Sequence, residues 1–530
     1  MDEREKTDPK GTPFERGSRI RRNKGAWRPL VDVTEIYCGD RGIDRNGEYN
    51  LYDAPIGVGL KVEQATKSEP ILEAEMEWEL QSVNPLYMWE DGGQYHMLYG
   101  CTYGACYAVS EDAYNWTRPE MGWIEHNGSK KNNIIHEQLQ HCQGYFEDPS
   151  APPEERFKTM GGGHDMGWYD PATGERVEGG EAMKRANAMQ DEGDAYKGPQ
   201  ALIWGRTHGY VSPDRLHWTR TEPLADRPVN GAIAARYDSH NEEYYAYIQI
   251  MGYAAGGPTK AIGAASIEEE TQIRAIGLSR TKDFGQWPAP KLVLEPDAQD
   301  DLDIDFYGAN YFPYPGRDDL HGMLIPIFHR ATGHMDGQIA FSHDGLYWTR
   351  PERKANLTVG APGSGEDCMV HYWRAGILEL PDGYWGSPYN ASSTLHGIDA
   401  YAEEGSIFPE RRPLQIRWAR WRPHRFCGVE AETEGRFTIP TLYRHNSQLR
   451  FNYRCKPGGW ISVELLKQTP YIHPDVDPIE GFTFEESDRL TGDSIDEVVT
   501  WNGKSDVSDI GGTIAIRVKM FQAKLFAYQV

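Results

Sequence analysis

Ser342-His343-Asp344-Gly345-Leu346-Tyr347-Trp348, running on into Thr349-Arg350-Pro351, is the stretch from which the fold is read. Ser110-Glu-Asp112-Ala-Tyr-Asn-Trp116 is a near copy and also runs into Thr-Arg-Pro. Ser212-Pro-Asp214-Arg-Leu-His-Trp218 runs into Thr-Arg, and Ser279-Arg-Thr-Lys-Asp283-Phe-Gly-Gln-Trp287 reads as a longer variant. Ser and Asp side chains cap backbone N–H groups in tight bends, so each copy predicts a hairpin turn, with its Trp packed back over the following strand.

Strand-like segments precede these turns. In the first unit they are 86–89 and 95–99, around a turn at 90–93; in the third they are 231–237 and 244–251. Each unit is thus expected to hold four antiparallel strands, with the Ser-Asp-Trp turn between the third and fourth. A fifth unit lacks the turn but keeps strand segments at 375–380, 384–389 and 417–422. Five such units in succession predict an all-β chain with a five-bladed β-propeller over 76–425. The second unit carries a Gly- and charge-rich insertion near 161–200, expected to loop over one face. From about Phe426, segments such as 435–440, 449–453, 460–466 and 513–519 alternate at period two and predict a β-sandwich over 426–530. Residues 1–75 are polar and irregular, expected to pack on the propeller or close its ring.

Composition agrees with this. The 530 residues are 39% hydrophobic and 12% aromatic, with 30 Tyr and 16 Trp, which excludes disorder and fibrous repeats. Acids exceed bases 80 to 55, a net charge of −25, so nucleic-acid and membrane-surface partners are not expected. The seven cysteines form no CxxC pair, and the charged start has no apolar core of a signal peptide, so a cytoplasmic location without a disulfide framework is expected.

The repeated S-x-D-G-x-x-W turn, with strands beyond it, resembles the five-bladed propeller glycosidases: invertase/levanase-like, arabinanase-like and mannoside-phosphorylase-like enzymes. The resemblance covers about 75–530 and implies paired-carboxylate cleavage of glycosides. It also leaves room for a structural divalent cation such as calcium, with no other cofactor or metal site assigned. The acidic triad of the invertase-like branch is missing at its expected places. Val83-Asn84-Pro85-Leu86 has Asn where that branch has its nucleophilic Asp, Glu147-Asp148-Pro149 has no Arg before the Asp, and 226–230 has no Glu-Cys. The chain therefore reads as a divergent member.

Topology sorts the remaining acids. Asp112, Asp214, Asp283 and Asp344 sit in third-to-fourth-strand turns, and Asp91, Asp148 and Asp382 in first-to-second-strand turns, away from the ligand face. On that face, the segment before the fourth unit carries Asp300, Asp301, Asp303, Asp305 and Tyr307, and the segment before the fifth carries Glu366, Asp367 and His371. The second-to-third-strand loops add His164, Asp165, His329-Arg330, His334 and His396, while Arg206 and Arg274 open third strands. Glycosyl transfer to water needs an acid and an ionised base or nucleophile. Asp305 with Glu366 or Asp367 is the expected catalytic set. Asn84, Arg206, Arg274, Asp303, Tyr307, His329, His371 and His396 are the expected substrate contacts, with Trp373 a further stacking candidate. Three functions remain open at this point: an exo-acting glycoside hydrolase, a glycoside phosphorylase using the Arg and His residues for phosphate, and a non-catalytic carbohydrate-binding propeller. The C-terminal region or the 161–200 insertion offers a surface for homo-oligomers.

Overall fold

A computed structural model of the chain describes residues 25–43, 49–80, 82–161, 168–169, 176–177, 203–204, 206–225, 233–251, 273–372, 376–396, 414–468, 474–511 and 513–530. His164, Asp165, Trp373, the 226–230 segment and most of the 161–200 insertion lie outside the described residues. Among those described, strands dominate and the only helical elements are the 3-10 turns Val33–Glu35, Leu139–His141 and Pro153–Glu155.

The repeats are successive antiparallel sheets. The first unit is Asn84–Asp91, Gln94–Cys101, Gly104–Ser110 and Ile134–His136. The second is Cys142–Glu147, Phe157–Gly161, Thr207–Ser212 and Thr219–Ala225; the third is Ile233–Asp238, Glu243–Met251, Arg274–Thr281 and Lys291–Leu294. The fourth unit, Ile304–Phe306 with Asn310–Pro313, His321–His329 and Met335–Ser342, joins the fifth through one parallel pair, Met335 with Met369. Its outer side is closed by the bridges Phe341–Thr349 and Gly337–Leu357. The first strands of the first four units touch in order, and Trp385–Ser392 of the fifth unit touches Asn84–Asp91 of the first, so the series returns on itself. This explains strands such as Trp385–Ser392, buried at every position: both faces are covered by neighbouring sheets.

The outer strand of the fifth unit is supplied by the N-terminal segment. Thr66–Lys67 and Leu72–Glu73 pair antiparallel with Gln415–Trp421. A few residues earlier, Gly59–Val62 pairs with the start of Cys427–Tyr443 in the C-terminal sheet. Residues 59–73 therefore strap the ring of repeats to the C-terminal region, and Val62 packs in one core with Phe426, Trp421 and Tyr389. In that region the strands join Arg28–Pro29 and Gly59–Val62 of the N-terminal segment in one hydrogen-bonded seven-stranded sheet. Its three main strands, Cys427–Tyr443, Arg450–Gln468 and Thr513–Gln529, are 17, 19 and 17 residues long. Phe482, Leu490, Val499, Trp501 and Val507, between two of these strands, share the sheet's core.

The repeated turn explains the order of the sheets. Asp Oδ1 accepts from the two N–H groups that follow the bend: Tyr114 and Asn115 at 2.8 and 2.7 Å, Leu216 and His217 at 2.9 and 2.8 Å, Leu346 and Tyr347 at 2.8 and 2.9 Å. The Asn115 N–H groups hold the Asp112 carboxyl down at about 2. Each Trp donates its indole N–H to the carbonyl three residues back: Trp116 to Ala113, Trp218 to Arg215, Trp287 to Phe284 and Trp348 to Gly345, at 2.7–3.1 Å. The third turn corrects the longer reading. Thr281 Oγ1, not Ser279, accepts from the Asp283 N–H at 3.1 Å, so Thr281-Lys-Asp283 keeps the common spacing, and Ser279 Oγ donates to Pro288 O. Side-chain O–H at the turn is what matters, and Thr supplies it as Ser does.

The position three before each Trp is also where one sheet meets the sheet before it. Ala113 O accepts from Trp418 Nε1 of the fifth unit at 2.8 Å, and Gly345 O from Tyr247 Oη of the third at 2.9 Å. The Arg215 guanidinium lies 5.3 Å from the ring of Trp89 in the first unit, and the Phe284 ring 6.0 Å from Phe146 in the second. At Gly345 the fit admits no side chain. A Cβ there would stand 2.7 Å from Tyr247 Oη, on a backbone with φ +74°. Gly383 has φ +80° with nothing within 4 Å of its would-be Cβ. Gly345→Ala is therefore expected to lose about 1–3 kcal/mol more stability than Gly383→Ala in urea unfolding, the excess being the overpacked joint rather than backbone strain. Equal losses would show that the joint tolerates a methyl.

Candidate functional site: an arginine-clamped aspartate beside a histidine–carboxylate pair

The site grows from the start of the fourth unit. Along Ile304–Phe306 alternate side chains face opposite ways. Ile304 and Phe306 enter the core with Ile325 and Ile327, which leaves Asp305 and Tyr307 together on the other side. Asp305 is fully buried. Its Oδ1 accepts from the Arg274 backbone N–H at 2.8 Å and Arg330 Nη2 at 2.9 Å; its Oδ2 accepts from Arg274 Nη1 at 2.6 Å and Arg330 Nε at 2.8 Å. Four donors occupy both oxygens. With both oxygens bonded by two guanidinium groups and a backbone N–H, Asp305 is their shared anchor. Charge-assisted hydrogen bonds of this kind are the strong ones.

Tyr307 forms the wall beside it. Arg274 lies 5.2 Å from its ring centroid, and its hydroxyl meets His396 Nε2 at 2.6 Å. His371 and Phe328 pack edge-on or tilted against the same ring at 5.9 and 5.7 Å. The loop carrying His396 is held by its own N–H bonding to Gly333 O at 3.1 Å. Five predicted residues, Asp305, Arg274, Tyr307, His371 and His396, thus come together from three units.

A second group adjoins it at the hairpin 329–334. His329 Nε2 is 3.1 Å from Asp336 Oδ2, and its Nδ1 is 4.0 Å from Asp303 Oδ1. Asp336, first among the causes, then Asp303 and Asp301, raise the His329 pKa above its usual 6.5, against the opposing effect of burial. Both nearer carboxylates are part-exposed, with side chains 34% accessible for Asp303 and 24% for Asp336. Asp336 is the residue that sequence reasoning missed. The signal was the hairpin itself: with Phe328 opposite Met335 and Ile327 opposite Asp336, a residue seven after His329 returns to its side.

The other predicted acids have different surroundings. Glu366 is buried, with Oε1 3.0 Å from Lys67 Nζ and Oε2 accepting from Tyr389 Oη at 2.7 Å. Lys67 belongs to the strand that closes the fifth unit, so Glu366 fastens that closure. Asp367 Oδ2 accepts from Gly363 N–H at 2.9 Å within its own loop. Asn84 opens the first strand of the first unit and donates to Ser82 Oγ at 3.3 Å. Arg206 stands, part-buried, just before Thr207–Ser212 of the second. Asp148, discounted as a turn residue, is bonded by Ser150 and by Tyr244 of the third unit. Among the described residues no group of three or more His, Cys, Asp or Glu is arranged to hold a metal ion.

No protein-family model matches the chain, and no curated protein matches it. Solved structures similar in fold include a thermostable family-43 glycoside hydrolase, at 11% identity and TM-score 0.37, over 64% of this chain and 89% of that one. An endo-arabinase from Bacteroides thetaiotaomicron VPI-5482 is similar at 12% identity and TM-score 0.34, over 66% and 96%. An N-acetylgalactosamine deacetylase from F. plautii, in complex with blood group B trisaccharide, is similar at 13% identity and TM-score 0.35, over 74% and 94%. The residue placements rest on the geometry above.

Two outcomes follow from that geometry. The His329 ring is expected to titrate above 6.5 by NMR, and in Asp336→Asn to titrate lower. Because the folded pKa is raised, stability from this pair is fully present below 6.5 and is lost as pH rises through the folded value. Glu366→Ala is expected to cost about 3 kcal/mol in unfolding, since it leaves Lys67 without its buried partner, while the His329 titration stays in place. A shifted His329 titration would join Glu366 to the site after all.

Proposed function

We propose that the five sheet units are the blades of a β-propeller and that the chain is a carbohydrate-active enzyme cleaving glycosidic bonds. Asp303 and Asp336 are its paired carboxylates. The observation that carries this is His329, held between those two part-exposed carboxylates and followed in sequence by the Arg330 that clamps Asp305. Glycoside cleavage divides acid and base work between two carboxyl groups in unlike surroundings. Unequal distances to one imidazole, 3.1 and 4.0 Å, supply that asymmetry. The ring face of Tyr307 suits the apolar face of a sugar, and its hydroxyl and the nearby His nitrogens suit sugar hydroxyls.

The test is a glycan panel assayed by product analysis, with and without added phosphate. Cleavage of at least one glycan is expected, and Asp303→Asn and Asp336→Asn are each expected to lower turnover about 10²–10⁴-fold. Phosphate-dependent release of a sugar phosphate would make the reaction phosphorolysis. A panel left uncleaved, or both variants as active as the parent chain, would sink the assignment.

A further inference from the structure

Two of the seven cysteines stand together in the first unit, apart from the residues of the site above. Cys101 ends the strand Gln94–Cys101, and Cys106 lies near the start of Gly104–Ser110. The register sets Cys101 opposite Gly104 and Cys106 opposite Tyr99, so the two side chains share one face of the hairpin on a diagonal. Their Sγ atoms are 3.4 Å apart. A disulfide needs about 2.05 Å, so the gap to be closed is roughly 1.4 Å. Both cysteines are buried, but Thr102 and Tyr103, which turn the chain between the two strands, are exposed, so Cys101 lies one residue from solvent. The pair is unequal. The hydrogen bond with Cys106, then the N–H groups of Tyr103 and Gly104, hold the Cys101 thiol below its ordinary value against the opposing effect of burial. Burial pushes the Cys106 thiol well up. One sulfur is prepared as a thiolate, the nucleophilic form, beside a neighbour kept as a thiol. The buried Cys142, Cys427 and Cys455 have no such preparation, since burial pushes all three thiols up.

We propose that Cys101 and Cys106 are a modification site, a pair that closes to a reversible disulfide with a hydroperoxide as oxidant and a small dithiol as reductant. With hydrogen peroxide, the Cys101 sulfur forms a bond to one peroxide oxygen, the O–O bond breaks, and the departing hydroxide takes up the Cys101 proton as water, leaving a sulfenic acid. The Cys106 sulfur then attacks the Cys101 sulfur. The S–S bond forms, the S–O bond breaks, and the second hydroxide leaves as water with the Cys106 proton. Two thiols are oxidised by loss of two hydrogens, and one peroxide is reduced to two waters. Both sulfurs pack in one core with Tyr99, Ile134 and Trp418, which accepts an apolar disulfide but not the charge of a sulfinate, so pairing is favoured over further oxidation. The bond ties the second and third strands together at the turn that carries Tyr103, whose ring lies 4.5 Å from His126. The inference is independent of the sugar-cleaving reading.

The test uses the full chain carrying Cys38→Ser, which removes an exposed thiol and with it crosslinks between chains. The folded protein is treated with hydrogen peroxide, the remaining thiols are alkylated in denaturant, and tryptic peptides are measured by mass spectrometry. The peptide that holds Cys101 and Cys106 is expected to lose two hydrogens and to take up no alkyl group, while Cys142, Cys427 and Cys455 are alkylated as before. Dithiothreitol should restore both alkylation sites. Cys106→Ser is expected to stop at a sulfenic acid on Cys101, trapped by dimedone, and Cys101→Ser to leave Cys106 reduced and unlabelled. Should either variant unfold, the peptide map of the chain that keeps both cysteines still decides. The proposal is overturned by a peptide that still takes two alkyl groups once peroxide has oxidised methionines elsewhere. It is overturned equally by a sulfinic acid on Cys101 beside a reduced Cys106, by a bridge from either residue to a different cysteine, or by dimedone capture at Cys106 in preference to Cys101.

Discussion

The bond from each turn tryptophan to the carbonyl three residues earlier is the interaction on which the rest of the structure depends. It is worth only about 1 kcal/mol taken singly. Its effect is geometric: it closes the bend between the third and fourth strands and presents the residue three before the Trp to the preceding sheet. Ala113, Arg215, Phe284 and Gly345 each make a contact with that sheet, by a shared carbonyl or by a ring. One local motif therefore both finishes a sheet and docks it, which is why four copies suffice to order five sheets. The fifth, which lacks the motif, contributes Trp418 to the first unit's turn instead.

Closure at that weak point falls to the N-terminal strap. Its strands pair with the fifth unit on one side and with the C-terminal sheet on the other. Glu366 holds Lys67 there, and Trp418 N donates to Ser68 Oγ at 2.9 Å. Residues near either end of the described chain meet as well, since Arg28–Pro29 pairs with Tyr528 and Ala527, and Tyr528 Oη donates to Glu35 at 2.6 Å. Ring and appended sheet thus share one set of long-range contacts, so a change at the strap reaches both.

The site divides along the same lines. Its aromatic and basic half is assembled from the third, fourth and fifth units, and any slip in the order of the sheets would separate Arg274 from Asp305 and His396 from Tyr307. Its acidic half lies in the fourth unit alone, where the hairpin 329–334 and the segment before Ile304 bring His329, Asp336 and Asp303 together. The proposed proton chemistry would tolerate movement between units better than the proposed substrate grip.

The amino-acid order by itself determined the units, their turns and the rim on which Asp305, Tyr307, Arg274, His371 and His396 stand. Those features follow from local chemistry: capping side chains at fixed spacing, and alternation along a strand. It also placed Asp112, Asp214 and Asp344 as turn caps, because an Asp two residues after a Ser has its acceptor oxygens within reach of the next two N–H groups. The partners of the rim acids were decided only by the tertiary structure. Asp305, Glu366 and Asp336 are alike as residues, and what separates them is which cation arrives from a distant segment: two arginines for Asp305, a lysine from 299 residues away for Glu366, and a histidine across a hairpin for Asp336. A carboxylate's surroundings are set by the charges and donors packed against it; for Asp305 and Glu366 those partners come from distant segments brought together by the fold, and for Asp336 from the other arm of its own hairpin.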